Sequence, residues 1–351
     1  MKKLKTAVTG LGRIGWQFHL PAIHKNANFE LTAVHDPLEE RLQEAKETYG
    51  AKGYRDFYQM IDAENPDLAV IASPTHVHKD QTIYAMERGC DIFLEKPMAR
   101  DISEAKEIVN ARERTGRKLM LYQPQRASAV TQSLKRLIDS GIIGDVFMIK
   151  VANISYVFRN DWQAFKKYGG GMLNNYGAHE IDRALYLSGS YAKKISASMA
   201  RIASLGDADD VVKILMETEN GIALDIEINM ASAIDIPEAI VHGKLGAIVL
   251  QYDDMSAFWH VRYFDPKDRE GIPVSDDLAA TGRRYMDTGM RPKAWLEEKH
   301  VIKDSDALVY YDECYKYFAL GKEPFVPVED TLEVMRIMDE CRRYSGWSQD
   351  E

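Results

Sequence analysis

Residues 6–20, "TAVTGLGRIGWQFHL", set Gly10, Gly12 and Gly15 between a run that reads as a buried strand and a run with helical spacing. G-x-G-x-x-G alone constrains little, but at a strand-to-helix junction it governs the first third of the chain. Gly10 permits the tight turn, and Gly12 lets the backbone approach a pyrophosphate. Gly15 allows close helix–sheet packing, while Arg13 and Ile14 open a helix whose first N–H groups face the phosphates.

The surrounding pattern supports that reading. "LKTAVTG", "FELTAVHD", "PDLAVIAS", "CDIFLEKP" and "KLMLYQ" read as strands, and the runs between them have helical spacing. Pro21 is expected to interrupt or bend the first helix. This alternation predicts an α/β fold, a doubly wound parallel sheet over residues 1–123. After the helix "AVTQSLKRLIDSGIIG" the period changes to two, and consecutive strands follow without helices between them. Asn220-Gly221 marks a hairpin there. Residues 124–351 are therefore expected to form an α+β domain with a large, mostly antiparallel open sheet. Within it, 265–300 is polar and aperiodic, read as a surface excursion or an oligomer contact, and "VEDTLEVMRIMDECRRYSG" reads as an amphipathic helix.

Composition removes several classes of function. A net charge of -9 without a basic cluster disfavours nucleic-acid binding. No apolar stretch reaches the roughly 20 residues that a membrane span needs. "MKKLK" runs directly into a strand and reads as a mature terminus, so a cytoplasmic protein is expected. Cys90, Cys314 and Cys341 are odd in number and widely spaced, which fits free thiols better than disulfides or zinc. His76 and His78 lack a third ligand nearby, so no metal is expected.

The chemistry-bearing residues fall at strand ends. Asp36 lies 21 residues beyond Gly15, where a carboxylate can accept both ribose hydroxyls and repel a 2′-phosphate, favouring NAD over NADP. Arg41 is placed to stack on adenine. Ser73, Pro74 and Thr75 are placed along the nicotinamide riboside, with His78 holding their loop. Glu95 and Lys96 sit at the carboxyl end of the fourth expected strand, where ligands bind in such sheets. There the Lys96 ammonium can hydrogen-bond a substrate hydroxyl and ease its deprotonation. In "GGGMLNNYGAHEID", Asn175, His179 and Asp182 share one face of an expected helix. His179 is the candidate base, Asn175 orients the substrate, and Asp182 fixes the imidazole tautomer. "YVFRNDW" offers Tyr156, Arg159, Asp161 and Trp162 as a substrate loop.

"GLGRIG", "EKP" and "GGGMLNNYGAHEID", in that order, resemble the Gfo/Idh/MocA family of NAD(P)-dependent sugar and cyclitol dehydrogenases, and the likeness covers almost the whole chain. The resemblance implies a catalytic lysine at Lys96, with a cis bond before Pro97, and an acid/base histidine at His179. It also implies a homodimer or homotetramer formed through the second sheet. Asn175 stands where members commonly carry aspartate, so proton transfer falls to His179. Arg126 matches the family pattern, and Gln123 stands where an asparagine often contacts the nicotinamide. The function these implications favour is hydride transfer between NAD and a secondary hydroxyl of a sugar, cyclitol or glycoside. One variant oxidises C3 of a glycoside and recycles bound NAD. A non-catalytic NAD-binding sensor or scaffold is the alternative, and Asn175 is its only support.

Overall fold

The computed structural model describes residues 3–274, 276 and 289–347. Its first sheet comprises β1 (Leu4–Thr9), β2 (Phe29–His35), β3 (Lys52–Tyr54), β4 (Leu68–Ile71), β5 (Asp91–Leu94) and β6 (Leu119–Leu121). All neighbours are parallel, in the order β3-β2-β1-β4-β5-β6. The order reverses between β1 and β4, which opens a crevice at their carboxyl ends. Local chemistry sets the helices between them. Asp101 caps the helix Ile102–Thr115 by accepting from Glu104 N, and Gly116 ends it at a positive φ of 65°. Pro21 does not end the first helix: a π-helical stretch, Gly15–His19, runs directly into the helix Leu20–Lys25, which carries the proline in its first turn.

The second sheet contains β7 (Val146–Ile154), β8 (Ala192–Ala200), β9 (Val211–Thr218), β10 (Ala223–Asn229), β11 (Ala239–Gly243), β12 (Gly246–Tyr252), β13 (Ala257–Tyr263) and β14 (Leu296–Val301). Its order is β14-β13-β12-β11-β7-β10-β9-β8, and all pairs are antiparallel except β10 with β7. Strict alternation points Val212, Ile214, Met216, Leu224, Ile226 and Ile228 into the core. The opposite face carries Leu215, Ile240 and Val249 among charged residues, with Leu215 half exposed. The helix Val328–Ser345 packs on β8, on the helix Ala178–Ser188 and on the first domain's helix Ile102–Thr115, so one apolar core runs through both lobes.

Three elements differ from the sequence reading. β3 is a three-residue edge strand, so the first sheet has six strands. The helix Tyr310–Phe318 returns to the first lobe and packs Tyr310, Tyr311, Cys314, Tyr315 and Phe318 against Val8, Val70, Phe93 and Met120. The stretch 265–300, expected to lack regular structure, forms a 3-10 turn at Pro266–Arg269 and most of β14; positions 275 and 277–288 lie outside the described residues. No helix of the described residues is long and apolar enough to cross a membrane.

Candidate active site

The glycine loop meets the loop after β4 at the crevice. Gly10 has φ +87°, and a Cβ there would lie 2.4 Å from Ala72 O. A Cβ on Gly15 would lie 2.0 Å from Gly10 O, so both positions are closed to larger residues. At Gly12 a Cβ would meet nothing within 4 Å, which leaves a cradle open to a ligand. Asp36 is buried beyond β2 and accepts from Leu11 N, Leu38 N and Arg41 Nη1 at 2.9, 3.0 and 3.1 Å. These bonds hold a carboxylate beside the loop. Arg41 is turned to Asp36 in this arrangement and is otherwise largely open to solvent.

Ser73 Oγ donates to Gln81 Oε1, and Pro74 and Thr75 lead into a short 3-10 turn. His78 is buried and braces this loop: Nε2 lies 2.8 Å from Ser73 O and Nδ1 3.0 Å from Pro97 O. That accounts for one of the two histidines weighed as metal ligands, and the other, His76, faces Tyr168 with ring centroids 6.3 Å apart. Among the described residues, no group of three or more His, Cys, Asp or Glu is arranged to hold a metal ion.

Lys96 follows β5, and the peptide bond to Pro97 is cis. Its Nζ donates to Asn175 O at 2.9 Å and Asn175 Oδ1 at 3.2 Å, across the gap between the lobes. Burial lowers its pKa from 10.5 to about 8; Glu95 opposes that shift and Arg159 adds to it. The Glu95 carboxylate is turned inward, where it accepts from His19 Nε2 at 2.9 Å and Lys96 N at 3.2 Å.

The helix expected to carry Asn175, His179 and Asp182 on one face starts as a π-helical stretch, Leu173–Gly177, followed by Ala178–Ser188. Asp209 anchors it by accepting from Leu173 N at 2.8 Å, and burial pushes this carboxyl up to about 6. Gly171 has φ +99°, and a Cβ there would lie 2.1 Å from Asp209 Oδ1, so the glycine run makes this anchor possible.

Asp182 does not orient His179. It is fully buried and accepts from Arg126 Nε and Nη2, each at 2.7 Å, while Arg126 also pairs with Asp330. Three positions beyond His179 and beside the buried Arg126 guanidinium, Asp182 is drawn to the arginine. Gln123 takes the expected role instead. Its Nε2 donates to Ala178 O at 3.2 Å, which fixes the amide, and its Oε1 lies 2.9 Å from His179 Nδ1. An amide oxygen only accepts, so Nδ1 carries the proton and Nε2 keeps its lone pair. Burial and the nearby Lys96 charge hold His179 well below 6.5. Both ends of the Gln123 amide are thus engaged inside the protein. Nothing local in "LYQPQR" signals this pairing, which joins residues 56 positions apart.

The loop after β7 adds charge. Arg159 Nε and Arg13 Nη2 each bond one oxygen of Asp161 at 2.8 Å, and the second pair crosses between lobes. Trp162 is exposed, as is Tyr156, which lies edge-on to Phe158. Lys96, Asn175, His179, Gln123 and Arg159 are therefore brought together, whereas Tyr156 and Trp162 face solvent.

A six-stranded parallel sheet with a glycine cradle at its switch point, and a lysine and a neutral imidazole beside it, defines an NAD-binding oxidoreductase. Residues 4–123 match the model for the oxidoreductase family with the NAD-binding Rossmann fold, and residues 131–249 match the GFO/IDH/MocA C-terminal domain. The chain belongs to the Gfo/Idh/MocA family. It is 29% identical to the D-glucoside 3-dehydrogenase of Escherichia coli over 54% of this chain and 56% of that protein. It is 29% identical to the scyllo-inositol 2-dehydrogenase (NAD(+)) of Bacillus subtilis over 66% and 68%, respectively. The crystal structure of an NAD-binding protein from Listeria innocua superimposes with a TM-score of 0.84 at 23% identity, covering 99% of this chain and 98% of that one.

Proposed function

We propose that this chain transfers hydride between NAD and a secondary hydroxyl or keto group of a sugar, cyclitol or glycoside, with Lys96 and His179 as the catalytic pair. The observation that carries the reading is their convergence. The Lys96 ammonium, held by Asn175, lies close enough to the His179 imidazole to lower its pKa, and Nε2 of that imidazole keeps its lone pair; the glycine loop of the same lobe is open at Gly12. The cradle and the buried Asp36 fit a dinucleotide: Gly10 to Gly15 would hold the pyrophosphate, and Asp36 the adenosine ribose. A 2′-phosphate would meet the Asp36 charge, which favours NAD over NADP. Ser73, Pro74 and Thr75 would border the nicotinamide riboside. When bound, NAD supplies the hydride acceptor at the carbinol carbon.

The chain's own residues handle the proton. His179 Nε2 takes it from the substrate hydroxyl, and the Lys96 ammonium stabilises the charge that develops on oxygen. Asn175 accepts from Lys96 through Oδ1 and so aims the ammonium, a role that needs no titration. Arg159, bridged to Asp161, would hold further hydroxyls. The relatives' names support a polyol or glycoside substrate, and the E. coli relative favours C3 of a glycoside. The half-exposed Leu215, with Ile240 and Val249, supports a homodimer or homotetramer through the second sheet, and three buried free cysteines suit the cytoplasm. A panel of sugars, cyclitols and glycosides, read by reduced-nicotinamide absorbance, tests the activity. Lys96→Ala and His179→Ala should keep NAD affinity and lose about 10²- to 10⁴-fold in turnover. Normal turnover in both variants refutes the assignment.

A further inference from the structure

Two adjacent tyrosines on the helix that returns to the first lobe reach toward the two sides of the site. Tyr310 Oη donates to Leu121 O at 2.6 Å and accepts from Gln123 N at 2.9 Å. It thereby fixes the peptide that carries Gln123, whose side chain in turn holds His179 Nδ1. Tyr311 Oη lies 2.8 Å from His19 Nδ1, and His19 Nε2 donates to Glu95. Glu95 accepts from the Lys96 backbone N–H and is the negative charge that raises the Lys96 pKa against burial.

Consecutive helix residues point about 100° apart, so one helix can serve both sides at once. Phe93 lies against both rings, stacked on Tyr310 at 5.7 Å and edge-on to Tyr311 at 5.6 Å, and Phe29 and Tyr122 close the cluster. Packing alone asks only for phenyl rings here. The hydroxyls are what the apolar cluster does not explain, and both are satisfied by the same two chains of hydrogen bonds. Burial pushes both phenols well above 10, so each remains an O–H donor.

We propose that Tyr310 and Tyr311 are positioning residues of the active site, Tyr310 acting through Gln123 on His179, and Tyr311 through His19 and Glu95 on Lys96. The inference rests on the catalytic reading of Lys96 and His179, but its test does not need turnover. In protein labelled with ¹⁵N-histidine, with His179→Gln used to identify the signal, His179 shows the Nδ1–H tautomer. Tyr310→Phe turns that signal into a mixture of tautomers, and Tyr311→Phe leaves it unchanged. In protein labelled with ¹³C-lysine, Lys96 titrates while facing Glu95, Arg159, Asn175 and His179. Tyr311→Phe moves its midpoint down, and Tyr310→Phe leaves it in place. Each arm therefore moves its own reporter. If neither reporter moves, or if either variant moves both, the proposal fails.

Once a substrate is found, each Phe variant should lower kcat about 10-fold with KM little changed. Adding Tyr310→Phe to Gln123→Ala should produce no further loss. An undiminished 10-fold loss in that background also refutes the Tyr310 arm. An absence of turnover on every substrate, with the two reporters moving as stated, would fault the catalytic reading and leave the positioning intact.

Discussion

Lys96→Met should make the protein more stable while removing its turnover. The folded chain holds this ammonium at about 8 instead of 10.5. A base whose pKa is lowered by folding destabilises the fold at every pH below the folded value, because the folded state carries the charge at a disadvantage. At about 1.36 kcal/mol per pH unit, that interval corresponds to about 3 kcal/mol at neutral pH. Methionine removes this disadvantage, but it also leaves Asn175 O and Oδ1 without their donor, a loss of about 1–2 kcal/mol. The net gain at pH 7 is about 1–2 kcal/mol. The Asn175 contribution does not change with pH, so a pH series isolates the ammonium. Between about pH 8 and pH 10 the folded wild type sheds its proton, and the advantage of the variant shrinks by about 2–3 kcal/mol. Urea unfolding of both proteins, followed by tryptophan fluorescence at each pH, measures that difference. Parallel stability curves across this range would show that the lysine bears no such burden, and the electrostatic account of the site would fall with it.

Three further outcomes follow from the same geometry. The pH–rate profile for alcohol oxidation should be bell-shaped, with its acid limb below 6.5, where His179 gains a proton, and its alkaline limb near 8, where Lys96 loses one. An alkaline limb near the ordinary lysine value would contradict the assignment. Asp36→Ala should weaken NAD binding about 10- to 100-fold by calorimetry and narrow the preference over NADP, since it removes the proposed ribose acceptor together with the anchor of Leu11 and Leu38. Arg126→Met should lower unfolding stability by about 3–5 kcal/mol, because Asp182 would remain fully buried without its guanidinium.

The parts of this fold that were legible in the sequence are those written locally. The glycine cradle needs only a strand before it and a helix after it, and the second sheet announces itself in the alternation of residues 211–229. β3 was not legible because three residues show no period. β14, "LEEKHV", is a largely exposed edge strand and has no buried face to imprint an apolar alternation. The helix Tyr310–Phe318 buries six of its nine residues and leaves a stripe of only Asp312, Glu313 and Lys316, too short a pattern to stand out in the sequence. At the site, Lys96 and His179 could be named from position along the chain. The partners of His179 and Asp182 could not, because which of two nearby polar groups an imidazole finds is decided by tertiary approach. Sequence spacing suggested Asp182, and the buried Arg126 took it.

The late return of the helix Tyr310–Phe318 has a consequence for how the chain matures. As the polypeptide leaves the ribosome, Phe29 and Phe93 emerge early, and the helix that covers them is made only after every strand of the second sheet. Until then the nucleotide-binding lobe has a bare aromatic wall, the kind of surface that chaperones hold and that aggregates propagate. A mutation that delays the second sheet should therefore endanger the first lobe in the cell without touching any residue of it.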